Sequence, residues 1–223
     1  MRKITSLLML CLVCIGLSAQ KYPINFDVNA TKGDRHVNSV TLQSPAFGKQ
    51  TIDVSATRGK VYNDYTSQSF EVAAGESVTP TIGYDGSWMH GYVYIDLNQD
   101  NALNSNEELV SYTFYSATSG QYGTNSAGQT VKNDCNANNP PAFTAPATPG
   151  TYYIRFKVDW NSIDPAGCND SGNTITANRG SVIDVQLVVK EASAAPLVEE
   201  GKFYTLECRS GSAHSTERFI ADN

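Results

Sequence analysis

The sequence has few of the residues and motifs on which hydrolytic enzymes depend. It contains only three histidines, and it lacks both Gly-x-Ser-x-Gly and His-Glu-x-x-His, the short patterns of a serine nucleophile and a catalytic zinc site. Beyond residue 20 there is no Cys-x-x-Cys pair. We therefore expect no enzymatic activity from this chain. A carboxylate pair for glycoside hydrolysis leaves no reliable pattern, so Glu71, Asp159 and Asp164 stay open as candidates.

Basic residues are scarce and scattered. The chain has 16 lysines and arginines against 22 aspartates and glutamates, a formal charge of -6, and no basic cluster. A nucleic-acid-binding protein groups its basic side chains to pair with phosphates. Nucleic acid is therefore not an expected partner, whereas an acidic surface suits cations and solubility.

Long apolar runs are absent except at the N-terminus. Met1-Arg2-Lys3 precedes a nearly continuous apolar run over residues 4–17, and Ser18-Ala19-Gln20 follows it. This is the arrangement of a secretory signal peptide, and the run is shorter than the about 20 residues of a membrane span. We expect residues 1–19 to be removed and the product to be secreted or held at the cell surface, without a membrane span.

Cysteines are few, and their number after export is odd. Cys135, Cys168 and Cys208 remain, which in an oxidising compartment indicates one disulfide and one unpaired thiol. Cys135 and Cys168 both lie in loop-like stretches rich in Asn, Asp, Gly and Pro, and we predict that they pair. Three reduced, buried thiols remain the alternative.

Short β-type segments separated by turn residues make up most of the chain. The clearest covers residues 151–160, where Tyr152, Ile154, Phe156, Val158 and Trp160 alternate with Tyr153, Arg155, Lys157 and Asp159. The other predicted strands lie near residues 24–28, 37–43, 50–55, 69–73, 77–83, 91–96, 109–114 and 181–189. This pattern predicts an all-β fold, an antiparallel β-sandwich of immunoglobulin-like or jelly-roll-like type over residues 20–190.

The composition changes after Lys190. Residues 191–200 are rich in Ala, Ser and Glu and predict a linker. Residues 201–223 begin with a strand-like segment but are too few to bury a core of their own. We expect them to be the start of a truncated second β-rich domain, which makes a fused downstream domain an expected partner.

An acidic loop, residues 96–108, is the segment with the clearest chemistry. Its oxygen-bearing side chains alternate, and a late glutamate follows, as in loops that surround calcium with six to eight oxygens. The flanking residues are strand formers, so the loop joins two strands and is not an EF-hand. The predicted ligands are Asp96, Asn98, Asp100, the Ala102 carbonyl, Asn104, and either Glu107 or Glu108.

A polar turn without an ion would have a similar composition, because Asp and Asn also form turns by bonding their own backbone. Asn101 stands at the sixth position, which usually needs a left-handed backbone and which Asn tolerates. We predict calcium as the cofactor at this loop.

Aromatic residues supply candidate ligand-binding positions. Sugars stack on exposed aromatic faces, and Trp88 lies at a predicted turn, whereas Trp160 continues the core-facing alternation of its strand. Tyr112, Tyr115 and Tyr122 are further candidates from a polar stretch. A glycan is the ligand that these residues would fit.

The chain resembles GEVED-type domains, the β-sandwich accessory modules of secreted Bacteroidetes proteins, over about residues 89–190. Tyr94-Ile95-Asp96-Leu97-Asn98-Gln99-Asp100, then Glu108-Leu109-Val110, then Gly180-Ser181-Val182-Ile183-Asp184-Val185 follow the family order. In the last motif Ser181 and Ile183 replace the two family glutamates, and Val185 replaces the tyrosine. The resemblance favours Glu108 over Glu107 as the matching glutamate.

The resemblance implies a non-catalytic accessory module of an exported bacterial protein, attached to a glycan-degrading enzyme. Together with the acidic loop, it predicts a calcium-stabilised module. The alternative is a carbohydrate-binding module that uses its exposed aromatic residues.

Overall fold

The structure, a computed structural model, describes residues 34–57, 59–103, 107–115, 123–131, 138–160, 175 and 180–192, and the strands at 209–210 and 213–214. Within these residues the regular structure is β except for one 3-10 turn, Ser55–Thr57. The strands of the main unit are β1 His36–Ser44, β2 Gly48–Asp53, β3 Tyr62–Ala73, β4 Ser77–Asp85, β5 Met89–Ile95, β6 Leu109–Thr113, β7 Phe143–Thr144, β8 Gly150–Trp160 and β9 Ser181–Lys190.

These strands form two sheets. The four-stranded sheet has the order β2-β1-β4-β7 and the five-stranded sheet the order β3-β9-β8-β5-β6. The predicted all-β sandwich is therefore confirmed. All pairings are antiparallel except that of β3 with β9, which run parallel from Tyr62 opposite Val182 to Ala73 opposite Lys190.

Apolar side chains from the inner faces of both sheets form the main core. Val40 and Leu42 of β1 are fully buried with Phe156 of β8 and Val185 of β9. Phe70 of β3 packs edge-on against Phe156, with the ring centroids 6.0 Å apart. The alternation along β8 is as predicted: Tyr152, Ile154, Phe156 and Val158 face this core, and Trp160 packs at its margin.

The outer face of the five-stranded sheet is buried as well. A second cluster, here called the outer cluster, covers it and consists of Tyr92, Tyr94, Leu103, Phe114 and Val131. As a result, every residue of β5 is buried, from Met89 to Ile95. Arg155, Lys157 and Asp159, on the face of β8 opposite the core, are also buried.

Gly180, immediately before β9, lies against the backbone of β8. A β-carbon there would overlap the carbonyl oxygen of Val158 and crowd the α-carbon of Asp159. Glycine is therefore the residue that lets β9 enter the sheet at this position.

The chain divides into two compact units, Met1–Glu191 and Ala192–Asn223. In the second unit, β10 Arg209–Ser210 pairs antiparallel with β11 Ala213–His214. The described residues include no helix that is long and apolar enough to span a membrane. The predicted signal peptide, the predicted strand at 24–28 and the predicted Cys135–Cys168 disulfide lie outside the described residues.

Candidate functional site: the acidic loop and an aromatic row

The acidic loop begins directly where β5 ends. The amide of Asp96 donates to the carbonyl of Tyr153 at 3.1 Å, and the amide of Ile95 donates to the carbonyl of Glu108 at 2.9 Å. These two bonds fix the start and the end of the loop on the same sheet. They place Asp96 and Glu108 side by side although they lie twelve positions apart in the chain.

Local hydrogen bonds shape the described part of the loop. The amide of Asp100 donates to Oδ1 of Asn98 at 2.9 Å, and the amide of Ala102 donates to Oδ1 of Asp100 at 2.8 Å. The amide of Asn101 donates to Oδ2 of Asp96 at 3.2 Å. The first two of these bonds join a short polar side chain to the backbone two positions later, as is typical of tight turns, and the third spans five positions.

Two residues of the loop adopt left-handed backbone conformations. Asn101 has a φ of 64°, as its position in the loop predicted. Gln99 has a φ of 59°, which the sequence did not predict. Leu103, two residues after Asn101, has its side chain buried in the outer cluster.

Three carboxylates converge within this loop. Oxygens of Asp96, Asp100 and Glu108 all lie within 4.8 Å of one another. Asp96 and Glu108 are 3% and 1% exposed, whereas Asp100 is at the surface. Because like charges repel and burial disfavours each charge, such a group is stabilised by a cation.

The donor set fits calcium. Two oxygens bound to one calcium ion lie at most about 5 Å apart, since each bond is about 2.3 to 2.6 Å. The separations within the group of Asp96, Asp100 and Glu108 meet this limit. The sequence also predicted the Asn98 amide oxygen and the Ala102 carbonyl as ligands, and both residues lie in the described part of this loop.

The structure separates the two adjacent glutamates that the sequence left open. Glu108 is buried and belongs to the carboxylate group, whereas Glu107 is exposed and does not. The register of β5 and β6 determines this difference, because only Glu108 is bonded to Ile95 through its backbone. Asn104, a further predicted ligand, lies outside the described residues.

A row of aromatic side chains lies beyond the opposite end of β5. Trp88 is 48% exposed, and its ring centroid lies 6.2 Å from that of Tyr115 and 6.4 Å from that of Trp160. The guanidinium carbon of Arg35 lies 5.5 Å from the centroid of the Trp160 ring. We call Arg35, Trp160, Trp88 and Tyr115 the aromatic row.

Trp88 has an unusual backbone. Its φ is 63°, a left-handed conformation that bulky residues rarely adopt and that costs on the order of 1 to 3 kcal/mol. The sequence predicted a turn here but not this strain. Of the other candidate ligand-binding residues, Tyr115 joins the row, Tyr112 packs on Phe114 at 5.3 Å, and Tyr122 lies outside the described residues.

A layer of buried charges lies under the outer cluster. Arg155 of β8 faces Asp184 of β9, with Nε to Oδ1 at 2.6 Å and Nη2 to Oδ2 at 2.7 Å. The Tyr62 hydroxyl donates to Oδ2 of Asp184 at 3.1 Å. Opposite charges at facing positions of adjacent strands are the sequence signal for such a pair, but they become informative only once the register is known.

Burial and charge shift the pKa values of this layer. Burial lowers the pKa of Arg155, but the charge of Asp184 and its hydrogen bond raise it by more, so that it stands above its ordinary value. Burial, then the charges of Asp184 and Asp64, raise the pKa of Tyr62 well above 10.0. Arg155 and Asp184 are therefore a charged pair, and Tyr62 is a neutral donor.

His36 and His90 are buried and each contacts a polar group. His36 lies 3.1 Å from Oδ2 of Asp85, and Nδ1 of His90 accepts a hydrogen bond from the amide of Tyr115 at 3.0 Å. Asp159 lies opposite His90 on β8 and 3.8 Å from the ammonium group of Lys157.

Glu71 and Asp159, two of the three carboxylates that stayed open as a catalytic pair, are not close together. Glu71 lies opposite Val188, which lies opposite Thr151, and Asp159 is eight residues further along β8. At about 3.3 Å per residue the two lie about 26 Å apart, far more than the about 5 to 9.5 Å of glycosidase carboxylates. Asp164 lies outside the described residues.

No family model and no curated protein matches the chain.

Proposed function

We propose that this chain is a non-catalytic accessory module of an exported bacterial protein, and that a calcium ion bound in the acidic loop stabilises its sandwich. The observation that carries the proposal is the convergence of Asp96, Asp100 and Glu108 at the corner between β5 and β6. These are also the acidic positions on which the resemblance to GEVED-type domains rests. The proposed calcium is structural, because it joins the end of one strand to the start of the next.

Export is part of the same proposal. Extracellular calcium is millimolar, and calcium sites of extracellular modules have dissociation constants of about 0.1 to 1 mM. At a tenfold excess of calcium over the dissociation constant, binding to the folded state adds about 1.4 kcal/mol to the free energy of unfolding. A predicted disulfide between Cys135 and Cys168 and a fused glycan-degrading enzyme belong to the proposal as well.

Thermal unfolding of the full chain tests the calcium site. We expect EDTA to lower the Tm by about 3 to 5 °C, and excess calcium to restore it. Magnesium should restore it less, because it is smaller and demands an octahedral shell. Asp96→Ala should unfold at the same temperature with and without EDTA. A wild-type chain whose Tm ignores EDTA and calcium would refute the proposal.

A second candidate function is carbohydrate binding, and the aromatic row favours it. Trp88 is exposed in a strained conformation next to two further aromatic rings. Strained residues concentrate at binding sites, and exposed aromatic faces are the surfaces on which sugars stack. Such a module would hold its attached enzyme on polysaccharide and raise the local substrate concentration. Binding to a glycan array that disappears in Trp88→Ala is the expected result, and an array without signal would contradict it.

A further inference from the structure

We propose that the aromatic row binds a neutral polysaccharide, one whose sugars carry neither carboxylate nor sulfate groups. The proposal rests on carbohydrate binding, the second candidate function, and narrows it to one chemical class. Two observations support this class of ligand, namely the geometry of the rings and the charges around them.

Trp88 is the exposed ring of the row, at 48%, and its neighbours are partly buried. The planes of Trp88 and Trp160 are tilted by 34°, and those of Trp88 and Tyr115 by 46°. Rings that hold a quaternary ammonium group surround the cation from several sides. The row instead has one accessible ring, that of Trp88, and the C–H face of a pyranose ring can lie against its electron-rich face.

Strand pairing and one hydrogen bond anchor the backbone that carries these rings. Trp160 lies opposite Met89 in the ladder of β8 and β5, and Trp88 immediately precedes Met89 in the chain. The backbone of Tyr115 is anchored by its hydrogen bond to the buried His90. A surface fixed in this way loses little conformational entropy on binding, which favours weakly attractive ligands such as sugars.

The charges around the row disfavour anionic sugars. The guanidinium group of Arg35 is already bonded to Asp34, with Nη1 to Oδ2 at 2.7 Å, and it stacks on Trp160. Asp34 is 63% exposed, and Asp85 adds a second carboxylate at this end of the sandwich. Among the side chains that the structure describes, an anionic sugar would meet more negative than positive charge here. Hydroxyl groups can instead donate to the carboxylate of Asp34 and accept from Arg35.

Affinity electrophoresis of the full chain in native gels tests this proposal. One set of gels contains neutral polysaccharides (mixed-linkage β-glucan, xylan or galactomannan), and the other contains anionic ones (polygalacturonate or heparin). We expect retardation by at least one neutral polysaccharide and by none of the anionic ones. Trp88→Asn should weaken the binding roughly tenfold or more, because it removes the most exposed ring.

Two features make the comparison specific. Asn accepts a left-handed backbone, so Trp88→Asn should keep its Tm within about 3 °C of the wild type. Phe47→Ala is the matched control, since Phe47 is an exposed aromatic residue (38%) in the β1–β2 turn, at the end of β1 away from Asp85. Its binding should equal that of the wild type.

The possible outcomes test two claims separately: that the row binds carbohydrate, and that this carbohydrate is neutral. Retardation by anionic polysaccharides alone would overturn the neutral class and leave carbohydrate binding standing. Retardation by none of the gels, or binding that Trp88→Asn leaves unchanged, would overturn the assignment of the row. Displacement of the glycan by tetramethylammonium would indicate a cation site and overturn it as well. EDTA should not affect retardation, because the acidic loop begins at Asp96, eight residues after Trp88. At the rise of a β-strand this is about 26 Å away from Trp88.

Discussion

The side-chain amide of Gln50 hydrogen-bonds both backbone groups of Glu71. Its Nε2 donates to the Glu71 carbonyl at 2.7 Å, and its Oε1 accepts from the Glu71 amide at 2.8 Å. Gln50 lies on β2, at the edge of the four-stranded sheet, and Glu71 lies on β3, at the edge of the five-stranded sheet. One side chain therefore satisfies backbone groups of an edge strand and joins the two sheets there.

Replacing Gln50 should weaken this edge. Gln50→Ala leaves two partly buried backbone groups without their partner, and we expect a loss of about 1 to 2 kcal/mol in the free energy of unfolding by urea. Gln43→Ala is the control, because Gln43 is exposed on β1 and its one side-chain bond, to the Ser44 carbonyl, is 3.4 Å long. Equal losses in the two variants would contradict the role given to Gln50.

The two adjacent glutamates offer a sharp test of the metal site. Without calcium, Glu108→Gln should raise the Tm, because it removes one of three clustered negative charges. With millimolar calcium, the same variant should fall below the wild type, because it loses most of the about 1.4 kcal/mol that the ion contributes.

Glu107→Gln makes the same change in charge one residue earlier, on an exposed side chain outside the group. Its Tm should follow that of the wild type in both buffers. A Glu107→Gln variant that instead behaved like Glu108→Gln would have a Tm above that of the wild type without calcium and below it with calcium. General surface charge, and not a bound ion, would then explain the response.

The buried pair of Arg155 and Asp184 should be costly to break. Asp184→Ala leaves the guanidinium group buried and uncompensated, and we expect a loss of about 3 to 5 kcal/mol in urea unfolding. Replacing both partners by apolar residues, in Arg155→Met with Asp184→Leu, should recover most of this loss because no unpaired charge remains. A single variant within 1 kcal/mol of the wild type, as is usual for exposed pairs, would contradict the burial described for this pair.

Tyr62 should make the fold sensitive to alkali. Its pKa is raised in the folded chain by burial and by the charge of Asp184, so the folded state keeps a proton that the unfolded chain releases near pH 10. This contribution to stability is complete below pH 10 and decreases as the pH rises above it. Between pH 8 and pH 11, Tyr62→Phe should therefore lose less stability than the wild type. Parallel losses in urea unfolding would refute this.

Alternation of residue types predicted most strands of the main unit, because one face of each lies against the same core. It missed the first half of β3, where Asn63 and Asp64 are polar. That half of the strand exists because of the parallel ladder with β9 and because the Asn63 amide donates to the Val182 carbonyl at 2.9 Å. Parallel pairing between distant segments has no local pattern in the sequence.

The carboxylate cluster could likewise be predicted only in part, because its last member depends on strand pairing. Spacing alone singled out Asp96 and Asp100, which the structure brings together with Glu108. It could not choose between Glu107 and Glu108, because the choice depends on the register between β5 and β6. The grouping of Trp88 with Trp160 was likewise not predictable, since it needs the pairing of β5 with β8.

Complete burial of β5 restricts where this protein can vary. A strand with one wet face tolerates polar replacements at every second position, but all seven residues of β5 contact packed side chains or backbone. A polar replacement anywhere within β5 would therefore disturb packed structure, whichever face of the sheet it points to.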